Sequence, residues 1–183
     1  MAVRTALVSQ GGKKLQGFTL LELLAAMLIV AILAAMLLPN LRQYIDRAGE
    51  VVCISRMRSI TVGLHNYLQD HNAAWPQGPS LNEPKPWEKF WLAVLQPYDI
   101  SEKVWQCPTI NSRLASLGQP VEDRPKVAYI PTMFTAEAGI ANRWSSQPWL
   151  TERTSAHEQG PFICFPDGSV KSFFKVLAEH GVR

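Results

Sequence analysis

Three side chains in this sequence are of the types that a nucleophilic enzyme site needs: Cys107, His157 and Asp167. A thiol, an imidazole and a carboxylate can act as nucleophile, base and orienting group. The local sequence argues against this use, because Pro108 follows the cysteine directly and none of the three lies in a recognisable nucleophile-site signature. We therefore expect no enzyme activity, no catalytic residue and no cofactor.

The cysteines indicate a different chemistry. There are three, Cys53, Cys107 and Cys164, and no Cys-x-x-Cys pair occurs. In an oxidising compartment one pair could bridge and leave one thiol over. Thiolate metal sites commonly draw on closely spaced cysteines, so this spacing supports no metal site. Burial as small apolar side chains remains open for each of the three.

A single carboxylate, Glu22, stands near the start of the most apolar run, Phe18 to Leu38. At about 1.5 Å per residue this run makes a helix of about 32 Å, close to the ~30 Å thickness of a hydrocarbon core. An acidic residue inside such a helix is costly, so a compensating cation is expected. Cleavage after Gly17 would supply one, because the new amino terminus at Phe18 lies one helical turn from Glu22.

The residues before this run are basic. Of the 18 Lys and Arg, three precede Phe18, where no acidic residue occurs, and the others balance the 15 Asp and Glu. The positive-inside tendency keeps this leader cytoplasmic and places the C-terminal part across the membrane. The balanced charge after Gly17 gives no reason to expect nucleic-acid binding. The apolar run also exceeds the ~7 to 15 residues of an ordinary secretory signal.

The stretch GFTLLE, Gly17 to Glu22, lies between the basic leader and an apolar run that ends at Pro39. This arrangement resembles the processing signature of type IV prepilins and of the pseudopilins of type II secretion. The resemblance implies that a prepilin peptidase cuts after Gly17 and methylates Phe18. It also implies that Glu22 sets the register of a subunit against the terminal amine of its neighbour. The implied partners are homologous pilin or pseudopilin subunits, the peptidase and an inner-membrane assembly platform.

Pro39 divides the long N-terminal helix into two halves. Apolar residues recur after it at three- and four-residue spacing, which predicts an amphipathic helix over 39–70. Proline removes one backbone hydrogen bond, so we expect a kink near Pro39 and not the end of the helix. Gly49 and Gly63 should weaken this half by about 1 kcal/mol each relative to alanine. We expect its charged side chains to form a solvated face. They are Arg42, Asp46, Arg47, Glu50, Arg56 and Arg58.

The remaining residues, 71–183, have the composition of a small globular domain. After a loop-like stretch, Trp87 to Leu95 predicts a short helix that follows Pro86. Two β-prone runs joined by Pro166 to Ser169 predict a β-hairpin. Together with a strand near Tyr129 it would form a small antiparallel sheet on the long helix. The expected fold class is therefore α+β, in the arrangement of pilin-like subunits.

His157 is followed, after nine intervening residues, by Asp167 and Gly168. This spacing resembles the C-terminal H-X9-DG motif of a large group of prepilin-like proteins. Members tend to share a cysteine early in the second half of the helix, an aromatic-Pro pair and a Cys-Pro pair. The corresponding residues are Cys53, Trp75 with Pro76, and Cys107 with Pro108. A Gly-rich stretch and a second histidine common in the group are absent here. We therefore expect Asp167 to cap its own turn and not to bind a metal.

Cys53 and Cys107 are candidates for a disulfide between the helix and the mid-chain loop. In the chain-entropy model, closing a loop of that length stabilises the fold by about 4 kcal/mol. Two buried free thiols are the alternative for this pair.

These features predict a structural subunit, a type II secretion pseudopilin that polymerises through its apolar helix. A minor type IV pilin carries the same signals and is the alternative. A membrane-anchored surface binding module is a more remote alternative, which the abundance of tryptophan suggests, although tryptophans also suit the core of a small domain. The tryptophans are Trp75, Trp87, Trp91, Trp105, Trp144 and Trp149.

The predicted organisation has four parts. They are a leader at 1–17, a transmembrane half-helix at 18–38, an amphipathic half-helix at 39–70 and an extracytoplasmic domain at 71–183 that contains the H-X9-DG hairpin. We expect a single-pass inner-membrane protein whose N-terminus is cytoplasmic before processing. Its C-terminal domain would then lie in the periplasm or in an extracellular filament.

Overall fold

The computed structural model describes residues 19–157 and 159–179. Within these ranges the helices are α1 Leu20–Asp70, α2 Pro84–Leu95, α3 Pro108–Ser116 and α4 Phe173–Glu179. The strands are β1 Tyr129–Pro131, β2 Leu150–Glu152, β3 Phe162–Cys164 and β4 Val170–Ser172. Short 3-10 turns lie at Gln96–Tyr98, Val121–Asp123 and Ile140–Asn142. A long helix that begins apolar, followed by shorter helices and a small sheet, is the α+β, pilin-like arrangement expected from the sequence.

Helix α1 runs for 51 residues, and its backbone is helical through Pro39. The chain divides into two compact units between Arg42 and Gln43, so α1 contributes to both. The N-terminal unit contains the apolar start of the helix, and the globular unit contains the rest. A kink at Pro39 stays a prediction.

Within the globular unit, α1 buries one face. Its buried apolar side chains are Cys53, Met57, Ile60, Leu64 and Leu68, spaced three or four residues apart. This spacing places them on one side of a helix with 3.6 residues per turn, which confirms the predicted amphipathic pattern.

Helix α2 packs aromatic side chains into the same core. Trp87, Trp91 and Leu95 are buried at four-residue intervals, as the sequence predicts. The helix begins at Pro84, ahead of the expected start at Trp87, because prolines at its first positions need no backbone N–H donor there.

The sheet has the strand order β1-β2-β3-β4, with each neighbouring pair antiparallel. In the predicted hairpin Phe162 pairs with Ser172, and Cys164 pairs with Val170. Strand β2, which the sequence analysis did not predict, separates the hairpin from β1. Its Glu152 lies opposite Tyr129, and its Leu150 lies opposite Cys164.

Two helices were also not predicted. Pro108, the residue after Cys107, starts α3, where its missing N–H donor costs no hydrogen bond. Phe173 and Phe174 follow β4 directly and open α4 instead of extending the hairpin. The reason is Ser172, whose hydroxyl accepts a hydrogen bond from the Lys175 backbone N–H at 3.3 Å and so caps the helix.

Candidate functional site

The first candidate site is the apolar segment, defined here as Leu20–Leu37 of α1. It is long and apolar enough to cross a membrane, and all of it is exposed within the chain. At about 1.5 Å per residue it spans about 27 Å, close to the thickness of a hydrocarbon core. Such a surface requires lipid or other protein as its surroundings, because a folded chain in water rarely exposes so large an apolar area.

A side-chain cap fixes where this helix begins. The Glu22 backbone N–H donates to the Thr19 hydroxyl at 3.2 Å, as in the first half of a capping box. Glu22 itself is exposed and lies in the first turn, where the helix dipole favours a carboxylate. The predicted cleavage site, Gly17 and Phe18, lies outside the described residues. The register role of Glu22 stays a prediction.

The second candidate site is a cluster of buried side chains in the globular unit. Cys53 on α1 and Cys107, just before α3, form a disulfide with 5.4 Å between their Cα atoms. The bridge ties the long helix to the loop between α2 and α3. His157 lies directly beside it, with its Nε2 atom 3.7 Å from the Cys107 Sγ atom.

The histidine is held by carboxylates on two sides. Its Nε2 atom lies 3.1 Å from Glu152 Oε1, and its Nδ1 atom lies 3.8 Å from Glu50 Oε1. Glu152 also accepts a hydrogen bond from the Phe162 backbone N–H at 3.2 Å. A carboxylate can only accept, so the hydrogen of this contact is on His157 Nε2 when Glu152 is ionised. These partners satisfy a carboxylate whose burial would otherwise be costly.

The strand geometry explains why an acidic side chain is buried here. Leu150 and Glu152 alternate with the half-buried Thr151, so both point to the core side of β2. Tyr129, opposite Glu152, shares this environment. Burial raises the pKa of Tyr129, and the nearby Glu152 charge raises it further.

Cys53, Cys107, Glu152 and His157 together are called the cysteine–histidine cluster below. One potential ligand atom from each of these residues lies within 4.8 Å of all the others. The wide spacing of the cysteines in the sequence predicts no thiolate metal site. The fold brings these residues together from four separate segments, and their spacing in the sequence does not predict this proximity. As long as the disulfide is intact, its sulfurs are not thiolate ligands.

The two ends of the H-X9-DG motif lie in different surroundings. His157 belongs to the cluster, whereas Asp167 Oδ1 accepts the Ser169 backbone N–H at 2.8 Å within the β3–β4 turn. Hydrogen bonds with the side chain and the backbone N–H of Ser169 hold the pKa of Asp167 below its usual value. Gly168 has φ 76°, a conformation that glycine adopts without strain. The contacts of Cys107, His157 and Asp167 do not form a thiol triad among the described residues.

The turn itself is attached to α1. His65 Nε2 contacts the Pro166 carbonyl oxygen at 2.7 Å, and Arg58 Nε donates to the Gly168 carbonyl at 3.3 Å. Between them, Thr61 Oγ1 lies 3.1 Å from the Sγ atom of the free cysteine, Cys164. Burial raises the pKa of the Cys164 thiol, and the contact with Thr61 offsets only part of this rise. The motif therefore joins the hairpin to the helix at both of its ends.

The tryptophans were expected mainly in the core, and five of the six are there. Trp75, Trp87, Trp91, Trp105 and Trp149 are each at most 2 % exposed. Trp144 differs, because half of its surface is exposed and the Arg143 guanidinium lies 5.5 Å from its ring centre. One exposed tryptophan provides little support for an aromatic binding surface.

Sequence reasoning missed three residues of these sites. Thr19 had a signal, because Thr-x-x-Glu before an apolar run is the pattern of a capping box. Glu50 and Glu152 had none, since a glutamate on an amphipathic helix or beside a short strand is ordinarily solvated. Their role is visible only in the folded chain, where His157 lies beside both carboxylates.

Comparison with known proteins gives one match. Residues 12–38 match the family described as the prokaryotic N-terminal methylation motif. No curated protein and no solved structure gives a significant match. The matched range contains Gly17, Phe18 and Glu22 and the whole of the apolar segment. It supports a type IV pilin-like prepilin subunit, methylated at its processed N-terminus and anchored by a single apolar helix.

Proposed function

We propose that this chain is a structural pseudopilin subunit of a type II secretion filament, cut after Gly17 and methylated on Phe18. The observation that carries the proposal is the apolar segment, which is fully exposed and follows a prepilin-type processing site. A prepilin peptidase and an inner-membrane assembly platform are the implied partners. The protein is then a single-pass inner-membrane protein with its globular unit on the periplasmic side or in the filament.

The composition of the apolar segment supports assembly through helix contacts. In lipid there is no hydrophobic gain between helices, so they associate by close packing of small residues. The segment has small residues along its length, at Ala25, Ala26, Ala31, Ala34 and Ala35. Their side chains allow the backbones of neighbouring subunits to approach closely.

Glu22 supplies the specificity that packing alone lacks. Its carboxylate is exposed, and in the sequence it follows Phe18, where cleavage would create an amine, by four residues. In the assembled filament this carboxylate pairs with the amine of a neighbour, which offsets the cost of a charge in an apolar environment. The pairing sets the axial register between subunits.

The buried sites of the globular unit support a structural role and not an enzymatic one. Cys107 is consumed in the disulfide, and His157 is enclosed by Glu152 and Glu50. Both are nearly inaccessible to solvent, at 0 % and 6 % exposure, which is unfavourable for residues that must contact a substrate. We propose that their function is to hold the globular unit together.

The experiment that tests this function compares two carboxylate variants in the native cell. Glu22→Ala should leave cleavage after Gly17 intact but strongly reduce the sheared filament fraction, because the registering charge is gone. Glu137→Ala is the matched control, since Glu137 is an exposed carboxylate in the globular unit that pairs with Arg143 on the surface. Normal filaments from Glu22→Ala would contradict the assembly role.

A minor type IV pilin is the second candidate, because the same processing motif serves both filament types. Deleting the gene distinguishes them. Loss of an extracellular enzyme with intact surface pili identifies the secretion filament, whereas loss of pili with normal secretion identifies the pilus.

A further inference from the structure

The cysteine–histidine cluster combines the ligand types of a zinc site. It offers two sulfurs, one imidazole and one carboxylate, and zinc binds all three kinds of group. The four residues are buried, with exposures of 0 % for Cys53 and Cys107, 3 % for Glu152 and 6 % for His157. A closed set of four ligands without solvent access is typical of a structural site and not of a catalytic one.

We infer that the reduced form of this protein binds one Zn²⁺ through Cys53, Cys107, His157 and Glu152, and that this binding and the disulfide exclude each other. The inference rests on position, because the ligand atoms lie within 4.8 Å of one another in the disulfide-bonded chain. After reduction, the two sulfurs must move apart to the spacing of two ligands on one tetrahedral ion. This is a small adjustment, because the four segments already meet at this place. The proposed metal binding goes beyond the filament role and does not depend on it.

The surroundings of His157 and Glu152 suit metal ligands. Glu152 Oε2 is held by the Phe162 backbone N–H, which leaves Oε1 directed at the histidine and the sulfurs. His157 Nδ1 faces Glu50 Oε1 at 3.8 Å, so a metal on Nε2 would leave an N–H on the opposite side of the ring pointing to a carboxylate. A carboxylate behind a metal-bound histidine fixes the orientation of the ring and raises its basicity.

A dithiol can serve as the reductant that converts the disulfide-bonded form into the metal-binding form. The dithiol transfers two electrons and two protons to the Cys53–Cys107 disulfide and becomes a disulfide itself. Zn²⁺ then displaces the two thiol protons as it binds the thiolates. Reoxidation of the pair by a disulfide reverses both steps and releases the ion. In either state the sulfurs connect α1 to the segment before α3.

The test uses Co²⁺ as a spectroscopic probe of the same site. The full chain in detergent is reduced with a phosphine, and Co²⁺ is added under anaerobic conditions. We expect one Co²⁺ per chain with intense thiolate-to-cobalt absorption bands, which indicate sulfur ligands. The same chain with its disulfide intact should show no such bands. If the reduced chain loses structure, adding the metal should restore it, because binding then drives folding.

Variants separate this site from adventitious binding. His157→Ala and Glu152→Gln should each weaken Co²⁺ binding at least about tenfold, since the first removes the imidazole ligand and the second removes the negative charge of the carboxylate ligand. His71→Ala is the matched control, because His71 is an exposed histidine at the end of α1 that stacks on Tyr67. Cys164→Ala should also leave the bands unchanged. Absence of bands in the reduced chain, or equal bands in wild type and His157→Ala, would overturn the inference.

A second measurement does not depend on how well the variants fold. In the reduced wild-type chain, Zn²⁺ should slow alkylation of Cys53 and Cys107 by iodoacetamide at least about tenfold, because metal-bound thiolates react slowly. The rate at Cys164 should not change, because its partner is Thr61 and not the cluster. Equal rates at Cys53 and Cys107 with and without Zn²⁺ would also overturn the inference.

Discussion

The two parts of helix α1 carry apolar side chains for different purposes. From Leu20 to Leu37 every residue is exposed, whereas the buried residues from Cys53 to Leu68 pack against the rest of the chain. The pattern explains the difference, because the first part is apolar on all sides and the second only on one. The first part therefore finds its partners outside this chain, and the second finds them inside it. The same substitution should therefore affect mainly assembly in the first part and mainly the stability of the globular unit in the second.

The largest expected effect concerns the bridge that ties the second part to the globular unit. Replacing both Cys53 and Cys107 by alanine should lower the free energy of unfolding by about 4 kcal/mol, because the unfolded chain loses a cross-link across 54 residues. Urea unfolding followed by tryptophan fluorescence measures this, since all six tryptophans lie after Asp70.

Cys164→Ala is the control for this double variant. It removes a buried thiol of the same size but no cross-link. We expect a loss of about 1 kcal/mol from it, the usual scale for a small buried group. A double variant no less stable than this control would show that Cys53 and Cys107 are not bridged in the folded protein.

The second prediction compares leucines from the two parts of α1. Leu64 is fully buried, so Leu64→Ala should cost about 3 kcal/mol through lost burial and the cavity left behind. Leu33 is 55 % exposed, so Leu33→Ala should leave urea unfolding of the globular unit unchanged. In cells the ranking should reverse for filament yield. Equal destabilisation by both variants would contradict the division of the helix.

The third prediction concerns Gly63, where helix propensity and packing oppose each other. A Cβ atom at this position would lie 2.6 Å from Ile100 Cγ1. The crowding should outweigh the ~1 kcal/mol gain in helix propensity, so we expect Gly63→Ala to lower stability by about 1 kcal/mol. Val62→Ala, on the exposed side of the same turn, should change thermal unfolding little. A more stable Gly63→Ala protein would show that Ile100 does not pack there.

The smallest effect is expected in the β3–β4 turn. Asp167→Ala removes the acceptor for the Ser169 N–H and should cost at most about 1 kcal/mol, because the site is exposed. Asp167→Asn keeps an acceptor oxygen and should be nearly neutral. The depressed pKa of Asp167 means that its contribution is present above the unfolded pKa of about 4 and is lost as pH falls further. Thermal unfolding of wild type and of both variants, measured between neutral and acidic pH, tests these expectations. If the stability lost in Asp167→Ala is the same at low pH as at neutral pH, the Asp167 carboxylate does not make this contact.

Features determined by nearby residues could be predicted from the sequence. The spacing of apolar residues after Pro39 was enough to predict the buried face of α1. Pro166 to Ser169 were enough to predict the hairpin turn. In both cases the physical cause lies within a few residues, whether as helical period or as turn conformation.

Features that depend on distant segments could not be predicted. The charges of α1 were expected to be solvated, and this was wrong for Glu50 and Arg56. Arg56 Nη1 donates to the Gln106 carbonyl at 2.6 Å, and Glu50 faces His157. These partners lie 50 or more residues away in the sequence, so no local pattern predicts them. Strand β2 and the burial of Glu152 were missed for the same reason, since each requires its pairing partners.

We expect that cleavage after Gly17 yields the mature chain, which assembles through the apolar segment. Mass spectrometry and N-terminal sequencing of the mature protein from native membranes test it most directly. The mature chain should begin at Phe18 and carry one added methyl group on its amine. An intact leader, or a chain that begins after Ala35 because the apolar segment was removed, would contradict it.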